Sequence, residues 1–326
     1  MIQTESEKID VAVNVFAMPF RTSLAVLSLL RQSGQHMGKL WLQFEPMGIE
    51  YDPVTPYCIA EYVREKRLAE CEVSQPATWR NLAACSPEDL ADAAQRESVR
   101  YQYAFEHSEA RLLFLMHNDV FILKDILGAM CEAMGDAFAI GQLGQCWNCP
   151  ASRGELTREL LGREPCAPAA YGQFKINHEQ LLALYAGAKA RGIFARPYAL
   201  DAGDFATVPW PLPECRINEW ACLLNLQKTR QFCAPYGTDY PPGAYRACGE
   251  HNLDIGVAWF RAMHARGFQA RHFDVSAYMK HWVGTGNNTP IRYAKLEDQA
   301  LGLLHKHFPD YVAWLKEKYG ASALPR

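Results

Sequence analysis

From Asp10 to Met18 the run DVAVNVFAM is apolar and rich in β-branched residues, the pattern of a buried strand. After Pro19, RTSLAVLSLLRQSG places its apolar residues at helical spacing, and Gly34 and Gly38 punctuate its end. KLWLQFEP, Lys39 to Pro46, then reads as a second buried strand finishing at the acidic Glu45. Strand, helix and strand in this order predict a parallel β-α-β unit. Ser86 to Glu109 opens with Ser-Pro-Glu-Asp, an N-cap followed by Pro at the first helical position, and predicts a long helix. Leu112 to Met116 predicts a short apolar strand that stops abruptly at His117, Asn118 and Asp119. Val120 to Met134 reads as a helix and Ala137 to Gly141 as a strand, so β and α alternate down to about residue 145, as in an open α/β sheet.

Residues 142 to 215 break this rhythm with Gly, Pro and Cys, a helical HEQLLALYAGAKARG and the Pro-rich VPWPLPEC. Helical spacing returns over Glu219 to Gln231, Asp254 to Arg266 and Glu297 to Tyr319. The expected organisation is an α/β half over 1–145, a Cys/Pro-rich insertion over 146–215, and a largely helical part over 216–326. No internal repeat or low-complexity tract interrupts it.

Composition narrows the function classes. The 326 residues carry 33 Lys+Arg against 36 Asp+Glu, a net charge of −3, with 49% hydrophobic residues, which argues for a globular chain and against disorder. Without a clustered basic run, a nucleic-acid partner is not expected. Leu24 to Leu30 and Leu112 to Met116 are far shorter than the roughly 20 residues that cross a bilayer. Met1 to Asp10 is polar and acidic, unlike a signal peptide, so the expected location is the cytoplasm. Eleven Cys, an odd number in a large chain, then read as reduced thiols rather than a disulfide framework.

In open α/β sheets, ligands bind beyond the carboxyl ends of the strands. Three groups fall there: Arg21 with its neighbours, Glu45, and Asn118 with Asp119. A carboxylate in that place can hold a hard divalent cation and bridge it to phosphates, which makes Asp119 a candidate ligand. The competing reading is that Asn118 and Asp119 cap the next helix.

Together, VAVNVFAMPFRTSLAVLSLLRQSG, KLWLQFEP and LLFLMHNDV resemble the nucleotide-sugar domain of GT-A glycosyltransferases, especially glycosyltransferase family 2, over roughly residues 10 to 145. The resemblance implies a GT-A-like, mostly parallel central sheet flanked by helices. It also implies that the strand-one turn (Pro19, Phe20 and Arg21) cradles the nucleotide, that Glu45 contacts base or ribose, and that Asp119 holds Mn²⁺ or Mg²⁺ on the diphosphate. The usual first acid of the Asp-x-Asp motif is His117 here, an imidazole that ligates Mn²⁺ through nitrogen, while Asn118 is left for ribose or phosphate.

The same resemblance assigns Glu219, in RINEW at an expected helix start, as the base that deprotonates the acceptor; the alternative is a helix-start Glu beside Arg216. His281-Trp282-Val283-Gly284 matches a late His-x-x-Gly, making His281 a contact to metal or diphosphate, with Lys280 and Arg292 as nearby positive charges. Asp239, Tyr240 and Asp254 fall where the acceptor subsite is built, and Trp210, Trp220 and Trp282 offer faces for sugar rings. Cys146-x-x-Cys149 with Cys166, completed by Cys215 or His178, reads as a structural Zn²⁺ site, a redox pair or unrelated buried thiols. The implied activity is inverting, metal-assisted transfer from a nucleotide-sugar donor to a carbohydrate or glycolipid acceptor in polysaccharide synthesis, in the cytoplasm or at the inner membrane face. The rivals are a nucleotidyltransferase-like enzyme and a non-catalytic zinc-stabilised binding module. A dehydrogenase is disfavoured, since MPFRTS stands where G-x-G-x-x-G belongs.

Overall fold

The computed structural model describes residues 7–46, 54–80, 84–143, 149–193, 210–213, 215–248, 251–281, 290–320 and 324. In chain order its strands are β1 (Ile9–Val15), β2 (Met37–Phe44), β3 (Cys71–Ser74), β4 (Leu112–His117), β5 (Val120–Ile122), β6 (Ala139–Leu143), β7 (Ile217–Asn225), β8 (Arg246–Cys248), β9 (His251–Leu253), β10 (Ala270–His272) and β11 (Met279–His281). The longer helices are α1 (Pro19–Ser33), α2 (Cys58–Glu65), α3 (Ile126–Met134), α4 (Gly154–Leu161), α5 (His178–Ala190), α6 (Val257–Ala265), α7 (Pro290–His307) and α8 (Pro309–Tyr319). The chain forms two compact units. The first comprises Met1–Trp79, Tyr103–Ala133 and Val275–Arg326, and the second Arg80–Gln102 and Met134–Asp274.

In the first unit β4, β1, β2 and β3 lie side by side in that order, all parallel, as the β-α-β reading predicts. β1 is buried at every position and β4 at all but its last, which explains their unbroken apolar runs. α1 packs against α7 and β5, and β5 pairs antiparallel with β11. In the second unit β6 pairs with β10 in parallel and with β7 antiparallel, and β8 and β9 form a separate two-stranded ribbon. The result is a mixed α/β fold with mostly parallel main strands flanked by helices.

Four elements differ from the sequence reading. The long helix expected over 86–109 is three short ones, Pro87–Ala91, Ala93–Glu97 and Gln102–His107. Ser86 and Asp89 do form a capping box, but Asp92 turns extended and its side chain caps a new start by accepting from Gln95 N–H. The helix expected from Val120 starts only at Ile126, because Val120, Phe121 and Ile122 pair with β11; Asp125, not Asp119, accepts a bond from the helix at Gly128 N–H. Residues 219–225, the first part of the helix expected over Glu219 to Gln231, belong to the buried strand β7, whose apolar run Trp220 to Leu224 fits neither period cleanly. Finally, 297–319 is two helices, divided at Phe308 because Pro309 cannot continue α7 and instead starts α8.

Among the described residues no helix is long and apolar enough to cross a membrane. Their cysteines are free thiols.

Candidate metal and nucleotide site

β4 is bordered by β1 and delivers His117, Asn118 and Asp119 at its carboxyl end. A tight turn through Asn118 and Asp119 leads into β5, and in the β5–β11 pairing Val120 faces His281. This register brings His281 Nε2 to 3.2 Å from Asp119 Oδ1, while His117 Nδ1 lies 3.8 Å from the same oxygen. The two imidazoles meet edge to face with centroids 5.4 Å apart. One ligand atom from each of His117, Asp119 and His281 falls within 4.8 Å of the other two, and among the described residues this is the one such set of three. Two imidazole nitrogens and a carboxylate oxygen suit a divalent first-row ion: the carboxylate favours Mn²⁺, which imidazole nitrogen also ligates, and the imidazoles suit Zn²⁺ and Fe²⁺ as well.

Burial raises the proton affinity of Asp119. The hydrogen bond from His281 and the electrostatic pull of the neighbouring His117, His281 and Arg21 side chains outweigh it and hold the carboxyl below its ordinary value. Arg21 Nη1 lies 3.9 Å from Asp119 Oδ2. Arg21 itself is only 2% exposed and pairs at 3.3 Å with Glu297 of α7.

The β1–α1 connection borders this cluster. Ala17 and Met18 both adopt positive φ (44° and 55°), a strained conformation for residues with a Cβ. Side chains hold it in place. Asn118 donates to Thr22 Oγ1 (2.9 Å) and towards the Phe16 and Ala17 carbonyls, and Met18 N–H donates to the Tyr293 hydroxyl (2.6 Å). The Asn118 amide is therefore engaged with the loop behind the site. Pro19 and Phe20 are buried at the start of α1, where Phe20 N–H donates to Glu297. Just past β2, Glu45 is buried and accepts a bond from Asn14 Nδ2 (2.9 Å).

Other candidates lie elsewhere. Lys280 is exposed, and as the strand neighbour of His281 it points to the opposite face of β11, away from the cluster. In the second unit Glu219 is buried on β7, with Arg216 Nε 3.6 Å from its Oε2, and Arg216 also bonds Asp254 at 2.8 Å. Trp220 is the one partly exposed position of β7. Asp239 is taken up by an ion pair with Arg266 at 2.8 Å, and Tyr240 by the Arg246 guanidinium over its ring. Trp210 stacks on Tyr171. Cys149 and Cys166 are near enough that, after burial, Cys149 is the next influence raising the Cys166 thiol to about 12. Among the described residues, Cys149, Cys166, Cys215 and His178 close no three-ligand set; Cys146, Trp282, Val283, Gly284 and the Arg292 side chain lie outside them.

No protein-family model matches this chain, and no curated protein matches it significantly. Among solved structures it is similar to the Mn/GDP form of core-mannan synthase A from Aspergillus fumigatus, at 9% identity and TM-score 0.34 over 72% of this chain and 63% of that one. The chain thus spans less than two thirds of that protein's length. It is also similar to a mannosyltransferase from Pyrobaculum calidifontis in complex with GDP-Man and Mn²⁺, at 9% identity and TM-score 0.42 over 98% and 74%. A third is mouse xyloside xylosyltransferase 1, at 12% identity and TM-score 0.34 over 82% and 85%. These likenesses are remote, and the functional reading rests on the residues themselves.

Three side chains of the site carry no local sequence signal. Asn14 is an interruption in an apolar strand, and Tyr293 and Glu297 lie on a helix roughly 280 residues from the loop they hold. A buried acid on an amphipathic C-terminal helix looks like any solvent-facing one until the fold is known.

Proposed function

We propose that this protein is a GT-A-like glycosyltransferase that moves a sugar from a nucleotide-sugar donor to a carbohydrate or glycolipid acceptor. The observation that carries the reading is the convergence of His117, Asp119 and His281 at the carboxyl end of β4, with Arg21 beside them. Donor chemistry of this kind needs positive charge where the diphosphate departs and a polar grip on the nucleoside. A divalent ion on His117, Asp119 and His281 would supply part of that charge. Arg21, its charge balanced by Glu297, borders the ion's place, and Glu45, steadied by Asn14, offers an acceptor for ribose hydroxyls or base N–H groups.

Glu219 is proposed as the base that takes the acceptor's hydroxyl proton in a direct, inverting displacement. Its support comes from its own surroundings: a buried carboxylate on β7, with Arg216 Nε 3.6 Å from its Oε2. Asp254 and Trp220 are proposed on the acceptor side.

The test is a thermal-shift panel of UDP, GDP, dTDP and CMP sugars with and without Mn²⁺, since a ligand of the native state raises its melting temperature. A metal-dependent rise with one nucleotide is the expected result and names the donor class; no rise with any of them overturns the reading. Glu219→Gln is expected to keep donor affinity and lower kcat by about 10²–10⁴-fold. Unchanged transfer in that variant removes Glu219 from the base role.

A further inference from the structure

The first turn of α1 is gripped by one strip of α7. Glu297 accepts hydrogen bonds from the N–H groups of Phe20 (2.8 Å) and Arg21 (3.3 Å) and pairs with Arg21 Nε (3.3 Å). Tyr293 stands one turn earlier on the same face and takes the Met18 N–H. The N–H groups that a helix start usually turns towards an anion are thus already met by a carboxylate of this chain. Arg21 and Glu297, at 2% and 4% exposure, form a buried ion pair whose charges cancel internally.

A buried guanidinium left without its partner is strongly destabilised and turns to whatever anion is in reach. Among the described residues, the other acid paired with Arg21 is Asp119, with Nη1 to Oδ2 at 3.9 Å. We propose that Glu297 is a positioning residue of the metal site: by balancing Arg21 it keeps the Asp119 carboxylate available to a divalent cation instead of to the guanidinium. The proposal rests on reading His117, Asp119 and His281 as metal ligands. It makes α7 part of the donor site, although none of its described side chains belongs to the three-ligand set.

The experiment is Mn²⁺ binding in the absence of nucleotide, followed by loss of the free-ion paramagnetic resonance signal, for wild type, Glu297→Gln, Arg21→Gln and the double variant. Gln keeps one of the two oxygens that accept from the α1 N–H groups and from Arg21 Nε, loses the other, and removes the charge. Glu297→Gln is expected to weaken Mn²⁺ binding about tenfold or more, the scale on which a close opposite charge acts on a carboxylate. Arg21→Gln is expected to bind at least as tightly as wild type, and the double variant to return to within about threefold of it. Loss of a helix cap alone would not be rescued by removing Arg21. Wild-type affinity in Glu297→Gln, or weakening that persists in the double variant, overturns the proposal. Should Glu297→Gln fail to fold, Arg21→Gln decides alone, and weaker binding there overturns it. If wild type takes up no Mn²⁺, the metal reading itself falls and this inference with it.

Discussion

Asp119 is pulled two ways, since burial favours its protonated form while His281, His117 and Arg21 favour the charged one, and the charges prevail. It is therefore ionised at neutral pH, as a metal ligand must be. His117 makes the donor set softer than two carboxylates would. His117→Asp is accordingly expected to improve Mg²⁺ binding relative to Mn²⁺, measured by competition of Mg²⁺ against bound Mn²⁺. An unchanged preference would show that His117 does not ligate. Asn14→Ala removes the bond that steadies buried Glu45 and should weaken donor binding about tenfold while sparing Mn²⁺ binding, both read by calorimetry. At this scale the sequence was informative wherever chemistry is written in residue type and order: His117, Asp119 and His281 were named from it and meet in the fold. Lys280 did not join them because alternation along β11 turns it away, a geometric fact that a list of neighbours does not contain.

Elements were legible where burial imposes a simple pattern. β1, β2 and β4 showed themselves as apolar runs, and Pro19 and the glycines near residue 34 bracketed α1. The helix expected from Glu219 gives way to β7 because Trp220 to Leu224 is an unbroken apolar run, which has no period to reveal whether it is strand or helix. The supposed helix over 86–109 failed for the opposite reason: Asp92 is a good cap, and a cap in mid-segment starts a new helix. β4 must be rigid for its terminal turn to aim Asp119. Leu115, fully buried at its centre, should cost about 2–5 kcal/mol when changed to Ala, measured by urea unfolding. A cost below about 0.5 kcal/mol would mean that β4 is not part of a close-packed core.

For the whole molecule, the alternation of β and α over the first 145 residues predicted the α/β class, whereas the two-unit division follows contacts between distant segments that local pattern does not encode. Acid sensitivity is a property of the whole chain, and His264 in the second unit contributes to it. Burial first, then the charges of Arg261 and Lys175, lower its pKa to about 4, and its Nε2 lies 3.2 Å from the Tyr171 hydroxyl. Between pH 6.5 and about 4 the unfolded chain takes up a proton at this position that the folded chain refuses, so stability falls as pH falls through that window. His264→Gln should flatten the melting temperature over this range, removing a pH-dependent contribution of about 3 kcal/mol. An identical pH profile would exclude His264 as a source. The central claim, however, is that one carboxylate and two imidazoles at the end of β4 hold a divalent ion for a nucleotide-sugar donor. Calorimetric titration of Mn²⁺ and then of the donor chosen by the thermal-shift panel, into wild type and Asp119→Asn, tests it directly. One Mn²⁺ per chain, donor binding that requires it, and loss of both in Asp119→Asn with the fold intact are expected; equal donor binding with and without metal, or an unaffected Asp119→Asn, would rule this metal site out.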